Sequence, residues 1–512
     1  MPHLITADRI IGKFPVPTGG VNQLMPSYEL TPSQLRDSSN VFPRNGVLRP
    51  RPGLLEQAAY TFTGTPTGIF DYIYEVDASA PILATTTNIY IYADLGAGPV
   101  WSDVTGAAFS TSPVGVTKLA RFTTIVIGTP EVNYVVHTNG KITPRFFNGA
   151  TGTFTNVTGT PPKWSDICTV QDHVIGIVPP YALRWGDILS LTSWPALNVQ
   201  QVAQTPDRVV AIRPIGQGGT AVLYKERSYY YVNYTGAATE AAAFSVQLIG
   251  FFDGPASPAA VVDVNGSHVL MTATGRIGVF SGSRMEWVGD LLWPVLRADI
   301  DPTKARRIFG VYDKLFQEVT FVYPSLANGS EMTGAVILTI PNPAVGRNES
   351  GVFPCTLSSG VSAGGNIRGE TDFREVALMA GTSANRMYEW TTDADQDDTT
   401  DFGGHWQTGL IATPGMDPFR LEAMEVFAER GTGYGRLTVQ PVTSWTLAGE
   451  GTLGEALVGE AGNLERPDEP IRAATGFPVQ ARFFGLRCSF AAAHTTQVRY
   501  KGASVFALRK ST

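Results

Sequence analysis

The residues that first invite a chemical reading are three aspartates, Asp393, Asp395 and Asp397, spaced i, i+2, i+4. Carboxylates alternate in this way at the start of an EF-hand loop, where they converge on one Ca²⁺. The rest of that pattern is missing. Asp398 stands at the sixth position instead of the glycine that makes the sharp turn, and Gly404 at the twelfth instead of a bidentate glutamate. The stretch therefore reads as a solvated acidic loop, and no metal ligand is assigned. The six histidines, His3, His137, His173, His268, His405 and His494, show no metal-binding spacing such as HxxxH and read as surface or strand residues. Gly216-Gln217-Gly218-Gly219-Thr220 resembles a phosphate loop but lacks the GK[ST] ending and leads into a strand, so it reads as a hairpin turn. No Gly-x-Ser-x-Gly elbow is present, and Gly282-Ser283 belongs to another hairpin turn. Cys168, Cys355 and Cys488 lie far apart without CxxC spacing, which suggests buried thiols and neither a disulfide framework nor a zinc site. From these residues no catalytic residue, cofactor or metal is expected, and the chain reads as a non-enzyme. A site assembled from distant loops stays open.

The elements that would have to position any such site are strands. Ala221-Val222-Leu223-Tyr224, the turn Lys225-Glu226-Arg227-Ser228 and Tyr229-Tyr230-Tyr231-Val232 predict a β-hairpin. The unit returns at Val269-Leu270-Met271, the turn Thr272 to Gly275 and Arg276 to Phe280, after which Ser281-Gly282-Ser283 turns into Met285-Glu286-Trp287-Val288. β-Branched and aromatic residues suit a pleated, half-buried surface, and Gly, Ser and Asn suit tight turns. Apolar strands begin near Ile82, Ile125, Val174, Ala221, Val269, Val319 and Val376, at intervals of 43 to 57 residues. That period is the spacing of propeller blades. Seven units are visible, and because one blade can be closed by strands from both ends, six to eight blades are allowed. A large β-sandwich is the competing architecture. The abundant aromatics, among them Tyr234, Trp185, Trp194 and Trp293, read first as packing between blades, with a sugar or nucleic-acid surface as the sharper alternative.

Composition agrees. The 512 residues are 43% hydrophobic and 16% charged, with 54 Gly and 35 Pro, a profile of short strands and many turns. The expected fold class is all-β, a propeller over residues 61–400 followed by a sandwich-like domain over 405–512 and preceded by an extended arm over 1–60. The arm is rich in Pro and Gly; the run Gln34 to Phe42 is suited to one short helix, and Arg49-Pro50-Arg51-Pro52-Gly53 ends it. It either lies on its own chain or reaches a neighbouring subunit. Residues 391–404 form a polar break. Beyond it, Trp406 to Ala412, Leu421 to Glu429, Arg436 to Gln440, Val479 to Phe490 and Val498 to Leu508 read as about five longer strands, with a Gly- and Glu-rich loop from Ser444 to Gly476.

The formal net charge is −7, and residues 61–401 alone carry 21 basic against 31 acidic side chains. A surface that grips DNA would be a basic stripe, so none is expected, although DNA could still pass by. The N-terminus lacks the basic and apolar pattern of a secretion signal, and no run approaches transmembrane length. Folding in a reducing cytoplasm is expected, with Asn156-Val157-Thr158 and Asn265-Gly266-Ser267 as chance sequons.

Several stretches resemble one family. Gly19-Gly20-Val21-Asn22, Tyr28-Glu29-Leu30, Gln34 to Val41 and Asn45 to Gly53 are similar to the start of tail proteins of short-tailed bacteriophages. Arg208 to Ile212 leading to Val222 to Tyr229, then Gly250 to Asp290 around Gly275-Arg276-Ile277-Gly278, resemble their centre; Ala481 to Arg487 and Lys501 to Val505 resemble their end. The resemblance implies a tail nozzle, also called a tail hub or stabilisation protein. Such a protein forms a ring of self-associated copies, usually six, below the portal and adaptor. The ring extends and gates the channel for DNA ejection and supports tail fibres or spikes. It implies location in the virion tail after assembly in the bacterial host cytoplasm, and contact with passing viral DNA without specific binding. The deficit of charge suits a neutral to acidic channel. The alternative is a soluble propeller enzyme or carbohydrate-binding protein with its site at the axis.

Overall fold

The computed structural model describes residues 10–509, apart from 45, 57–61, 76–77, 95–98, 108, 110–118, 150–151, 217–218, 238, 342–349, 369–374, 382–385, 392–395, 398, 413–418, 431–434, 445–451, 454–456, 462–470, 482 and 491–497. Six antiparallel four-stranded sheets follow one another along the chain, spanning residues 66–103, 121–156, 167–201, 209–251, 261–288 and 309–356. They form blades 1 to 6 of a β-propeller. Blade 7 is built from Val361–Arg368, Glu375–Gly381 and Met387–Thr391, and its fourth strand, Gly53–Glu56, comes from the other end of the chain. Leu54 opposite Trp390 and Leu55 opposite Glu389 set the register. Each predicted apolar start falls in a separate blade. Six lie in the second strand; Ile125 lies in the first strand of blade 2, whose second strand is Val132–Thr138.

The first strand of each blade lines the axis, and hydrogen bonds carry the ring round. Ala120 N donates to Thr67 O at 3.1 Å between blades 1 and 2. The Thr123 and Thr169 hydroxyls meet at 2.9 Å between 2 and 3, and Ile212 N donates to Asp166 Oδ2 at 2.9 Å between 3 and 4. Arg213 donates to Pro258 O between 4 and 5, and the Ser257 hydroxyl to Ile308 O at 2.5 Å between 5 and 6. Tyr312 N donates to Asn366 Oδ1 at 3.1 Å between 6 and 7. The circle closes where the Ser362 hydroxyl donates to Pro66 O at 2.9 Å. Between the blades lie the aromatics: Trp164 packs edge-on against Trp194, Trp185 against Phe244, and Tyr229 against both Phe252 and Phe280.

Residues 404–509 and the N-terminal residues together form two further sheets. One runs Val41–Arg44, Val47–Pro50, Val498–Arg509, Phe419–Arg430, Ile471–Ala481, with Ile10–Phe14 also on Val498–Arg509. The other runs Leu35–Ser39, Gly404–Thr408, Phe483–Phe490, Gly435–Ser444, Thr452–Leu453, with Ile411–Ala412 on Phe483–Phe490 and Leu457–Ala461 on Gly435–Ser444.

Three expectations change. The run over 34–42 is extended, not helical: Leu35–Ser39 pairs with Gly404–Thr408, and burying Leu35 and Ser38 on one flank outweighs local helix preference. The run Val479 to Phe490 belongs to two strands, Ile471–Ala481 in one sheet and Phe483–Phe490 in the other. The stretch from Ser444 to Gly476 contributes strands where a loop was expected.

N-terminal residues also lie along blade 6. Gly20 has φ +82°, and an added Cβ would fall 2.6 Å from Val352 N, so only glycine permits this approach. Val21 N then donates to Val352 O at 3.1 Å. Two buried arginines fasten the segment. Arg44 makes a bidentate pair with Glu318 while its guanidinium lies 3.6 Å from the centre of the Phe316 ring. Arg51 makes a bidentate pair with Asp397, reaches Asn40 Oδ1 at 3.1 Å and Thr356 O at 2.9 Å, and lies 3.7 Å from the Phe402 ring centre.

Candidate functional site at the mouth of the propeller

In an antiparallel four-stranded blade, the connection entering the first strand and the turn between the second and third strands lie on the same face. A cavity of about 540 Å³ opens on this face. Leu119, Ser165, Arg208, Pro258 and Arg306 reach it from the connections into blades 2 to 6, and Asn139, Pro179, Glu226 and Ala273 from the turns of blades 2 to 5. Its charged lining residues are Arg208, Arg227 and Arg306 against Glu226.

Backbone hydrogen bonds hold these positions. Glu226 N donates to Arg208 O, Gly254 N to Glu226 O, both at 2.9 Å, and Phe252 N to Arg227 O at 3.1 Å. Gly254 approaches so closely that an added Cβ would lie 1.8 Å from Lys225 O. Next to the mouth, the buried Lys225 ammonium donates to Val202 O, Thr205 O and Thr205 Oγ1 at 2.7 to 3.0 Å and lies 3.4 Å from Asp207 Oδ1. Burial pulls the Lys225 pKa down, partly offset by Asp207. Burial also acts to raise Asp207, but hydrogen bonds from Thr205, Arg227 N–H and Ser228 prevail and hold it below the usual carboxylate range. These two charges answer each other. Arg306 lies 4.0 Å from Glu226 in an exposed, weak pair. Arg208 and Arg227 have no side-chain partner among the described residues and are exposed. Around the axis, Asp166 is fully buried and bridges Arg121 at 2.9 Å and Arg213 at 2.6 Å. Burial, with Arg213 adding to it, pushes Arg121 down to about 10, still a cation at neutral pH. One aspartate thus serves two guanidinium groups.

Donors dominate the mouth. Asn139 is almost wholly buried, its Oδ1 accepts from Lys141 N at 3.0 Å and Ile142 N at 3.1 Å, and its amide NH₂ has no partner among the described residues. This arrangement can receive an anion; among the described lining residues no nucleophile is paired with a base.

The residues weighed from sequence lie elsewhere. Asp393, Asp395 and Asp398 fall outside the described residues. Asp397 is fully buried against Arg51, so the expectation of a solvated loop is corrected there: its carboxylate is held by the guanidinium and by Ser358 N at 2.6 Å. No group of three or more His, Cys, Asp or Glu suited to a metal occurs among the described residues. His173 contacts Glu240 at 2.8 Å, His268 contacts Tyr224 at 2.6 Å and Pro214 O at 2.7 Å, and His405 contacts Asp37 at 2.9 Å. His137 is buried beside Phe109 and Phe122; His3 and His494 lie outside the described residues. All three cysteines are buried free thiols, and burial pushes Cys355 up to about 12. Of the run Gly216 to Thr220, residues 217 and 218 lie outside the described residues; the flanking strands Val209–Pro214 and Thr220–Lys225 pair antiparallel, and Ile215 N donates to Thr220 O at 3.0 Å. No helix among the described residues is long and apolar enough to cross a membrane.

Sequence reading missed the mouth because its arginines are scattered through a region with surplus acid. One signal was present: Arg208 and Arg306 each stand just ahead of a blade's first strand, two blades apart.

The topology defines a seven-bladed β-propeller joined to a two-sheet β-domain made from both ends of the chain. No protein-family model matches the chain, and no curated protein matches it. Among solved structures it is similar to the β-propeller domain of Myceliophteria thermophila Cps50 (Swd1) and to Kuenenia stuttgartiensis hydrazine synthase. Each has a TM-score of 0.41 at 10% identity over 66% of this chain and 99% of the other. The RRP9 WD40 repeats give 0.41 at 10% over 67% and 98%.

Proposed function

We propose that this chain is a structural subunit of the tail nozzle of a short-tailed bacteriophage. In this reading, copies associate head-to-tail into a closed ring, with six copies the expectation from the resemblance. The ring sits below the portal and adaptor, extends and gates the DNA channel, and carries fibres or spikes. The observation that carries the reading is where the residues of the resemblance lie. Gln34 to Val41 and Asn45 to Gly53 are the segments that weld the two β bodies together, through Arg51 on Asp397 and Gly53–Glu56 in blade 7. Lys501 to Val505 lies in the strand that receives Ile10–Phe14. A subunit with both ends locked into one sheet, and with its propeller closed by its own N-terminal segment, suits a part that bears load as DNA passes.

The strands Ile10–Phe14, Leu35–Ser39, Val41–Arg44, Val47–Pro50 and Gly53–Glu56 pair within their own chain, so in this reading their paired edges do not supply the ring contact. The contact falls to other surfaces, repeated by rotation until the ring closes. The competing saccharide-binding reading draws no support from the described lining residues of the mouth, among which there is no aromatic. Cryo-EM of particles at the tail axis tests the proposal. A ring of this chain on the axis is expected; its absence from the particle, or a single copy off-axis, overturns it.

A further inference from the structure

We infer that the mouth of the propeller is a binding site for a small molecule bearing a dianionic phosphate group. The inference does not rest on the nozzle reading. Among the described charged residues lining the cavity, Glu226 is matched by Arg306, which leaves Arg208 and Arg227 as two uncompensated cations. Two planar guanidinium groups offer paired N–H donors that match phosphate oxygens in geometry and charge. The free amide NH₂ of Asn139 adds a neutral donor, and its orientation is set because Oδ1 already accepts two backbone N–H groups.

Position strengthens the case. Residues 61–401 carry ten more acids than bases, so an arginine-dominated cavity runs against the charge of the body that holds it. The backbone hydrogen bonds from Glu226 N to Arg208 O and from Phe252 N to Arg227 O fix the main chain from which the two cations project, both at the same end of blade 4. The volume of about 540 Å³ lies within the range of small-molecule sites and exceeds what one phosphate ion fills, which favours a phosphate ester over the free ion.

The test is calorimetric titration of the full-length protein with inorganic phosphate, with adenosine monophosphate and with the dicarboxylate succinate. Saturable binding is expected, tightest for the ester, weaker for inorganic phosphate and weakest for succinate. Arg208→Gln and Arg227→Gln each weaken ester binding by about tenfold or more, the scale of a lost charge-assisted hydrogen bond. Asn139→Asp keeps the acceptor for Lys141 N and Ile142 N but replaces the free donor by a charge of the wrong sign, and abolishes binding. Arg284→Gln is the control: Arg284 is an exposed arginine on the turn between the last two strands of blade 5, on the opposite face, and its loss leaves binding unchanged. Melting temperature reports folding of each variant. No saturable binding up to about 10 mM ester, a range that spans even weak specific sites, overturns the inference. So does equal weakening by Arg284→Gln, which shows diffuse attraction, or succinate binding as tight as the ester. Ester binding unaffected in both folded arginine variants overturns it as well.

Discussion

Arg51 shows at the residue scale how a polar side chain becomes structural. Its guanidinium is fully buried, and Asp397, Asn40, Thr356 O and Pro52 O accept its hydrogen bonds. Removing one partner strands a buried charge, so Asp397→Ala is expected to cost about 3–5 kcal/mol in urea unfolding, whereas the paired change Arg51→Met with Asp397→Leu costs less. A loss within about 0.5 kcal/mol for Asp397→Ala, the range of an ordinary surface substitution, would show the pair to be idle. His137 is the opposite case. It is buried, and neither ring nitrogen has a partner among the described residues. Burial, with Arg145 adding to it, pushes it down to about 3; burial likewise pushes His268 down to about 4. In the unfolded chain both titrate near 6.5. Below that pH the unfolded state binds protons that the folded state refuses, so stability falls as pH drops from about 6.5 toward 4, by up to about 1.4 kcal/mol per unit for each histidine. His137→Phe is expected to raise stability at pH 7 by about 1 kcal/mol and to flatten that slope. An unchanged slope in pH-dependent unfolding would count against this account.

At the scale of the element, the decisive strand is Gly53–Glu56. It is four residues long, yet as the fourth strand of blade 7 it pairs with Met387–Thr391 on one side and Gln396–Asp397 on the other, and Leu54 is fully buried opposite Trp390. Leu54→Ala is expected to destabilise the protein by about 2–5 kcal/mol, the cost of an apolar core truncation. Leu55→Ala, on the exposed side of the same strand, is expected to cost little; equal effects would show that the strand is not seated as described. The hairpin over 220–234 was readable from its own residues, because alternating Val, Leu and Tyr and a polar turn encode it locally. The strand over 35–39 was not, because its conformation follows from pairing with residues more than 360 positions away.

For the whole molecule, the interleaving of the ends predicts cooperativity. Strands from residues 10–50 belong to the two-sheet domain, and the next one closes the propeller. Calorimetry of the intact protein should therefore show one main thermal transition, and deletion of residues 1–56 should lower the melting temperature of both bodies together. Two well-separated transitions in the intact protein would contradict that coupling.

The sequence by itself determined the all-β class, the blade period and most of the turns, since period-2 patterning and turn residues act over a few positions. Tertiary structure alone decided which strand closes blade 7, which strands from the two ends share a sheet, that Asp397 is buried against Arg51, and that Arg208, Arg227 and Arg306 meet at one mouth. A strand's own residues say that it will pair and which face it will bury. Its partner is set by which edges remain open once the local hairpins have formed, and that depends on the closure of the ring as a whole.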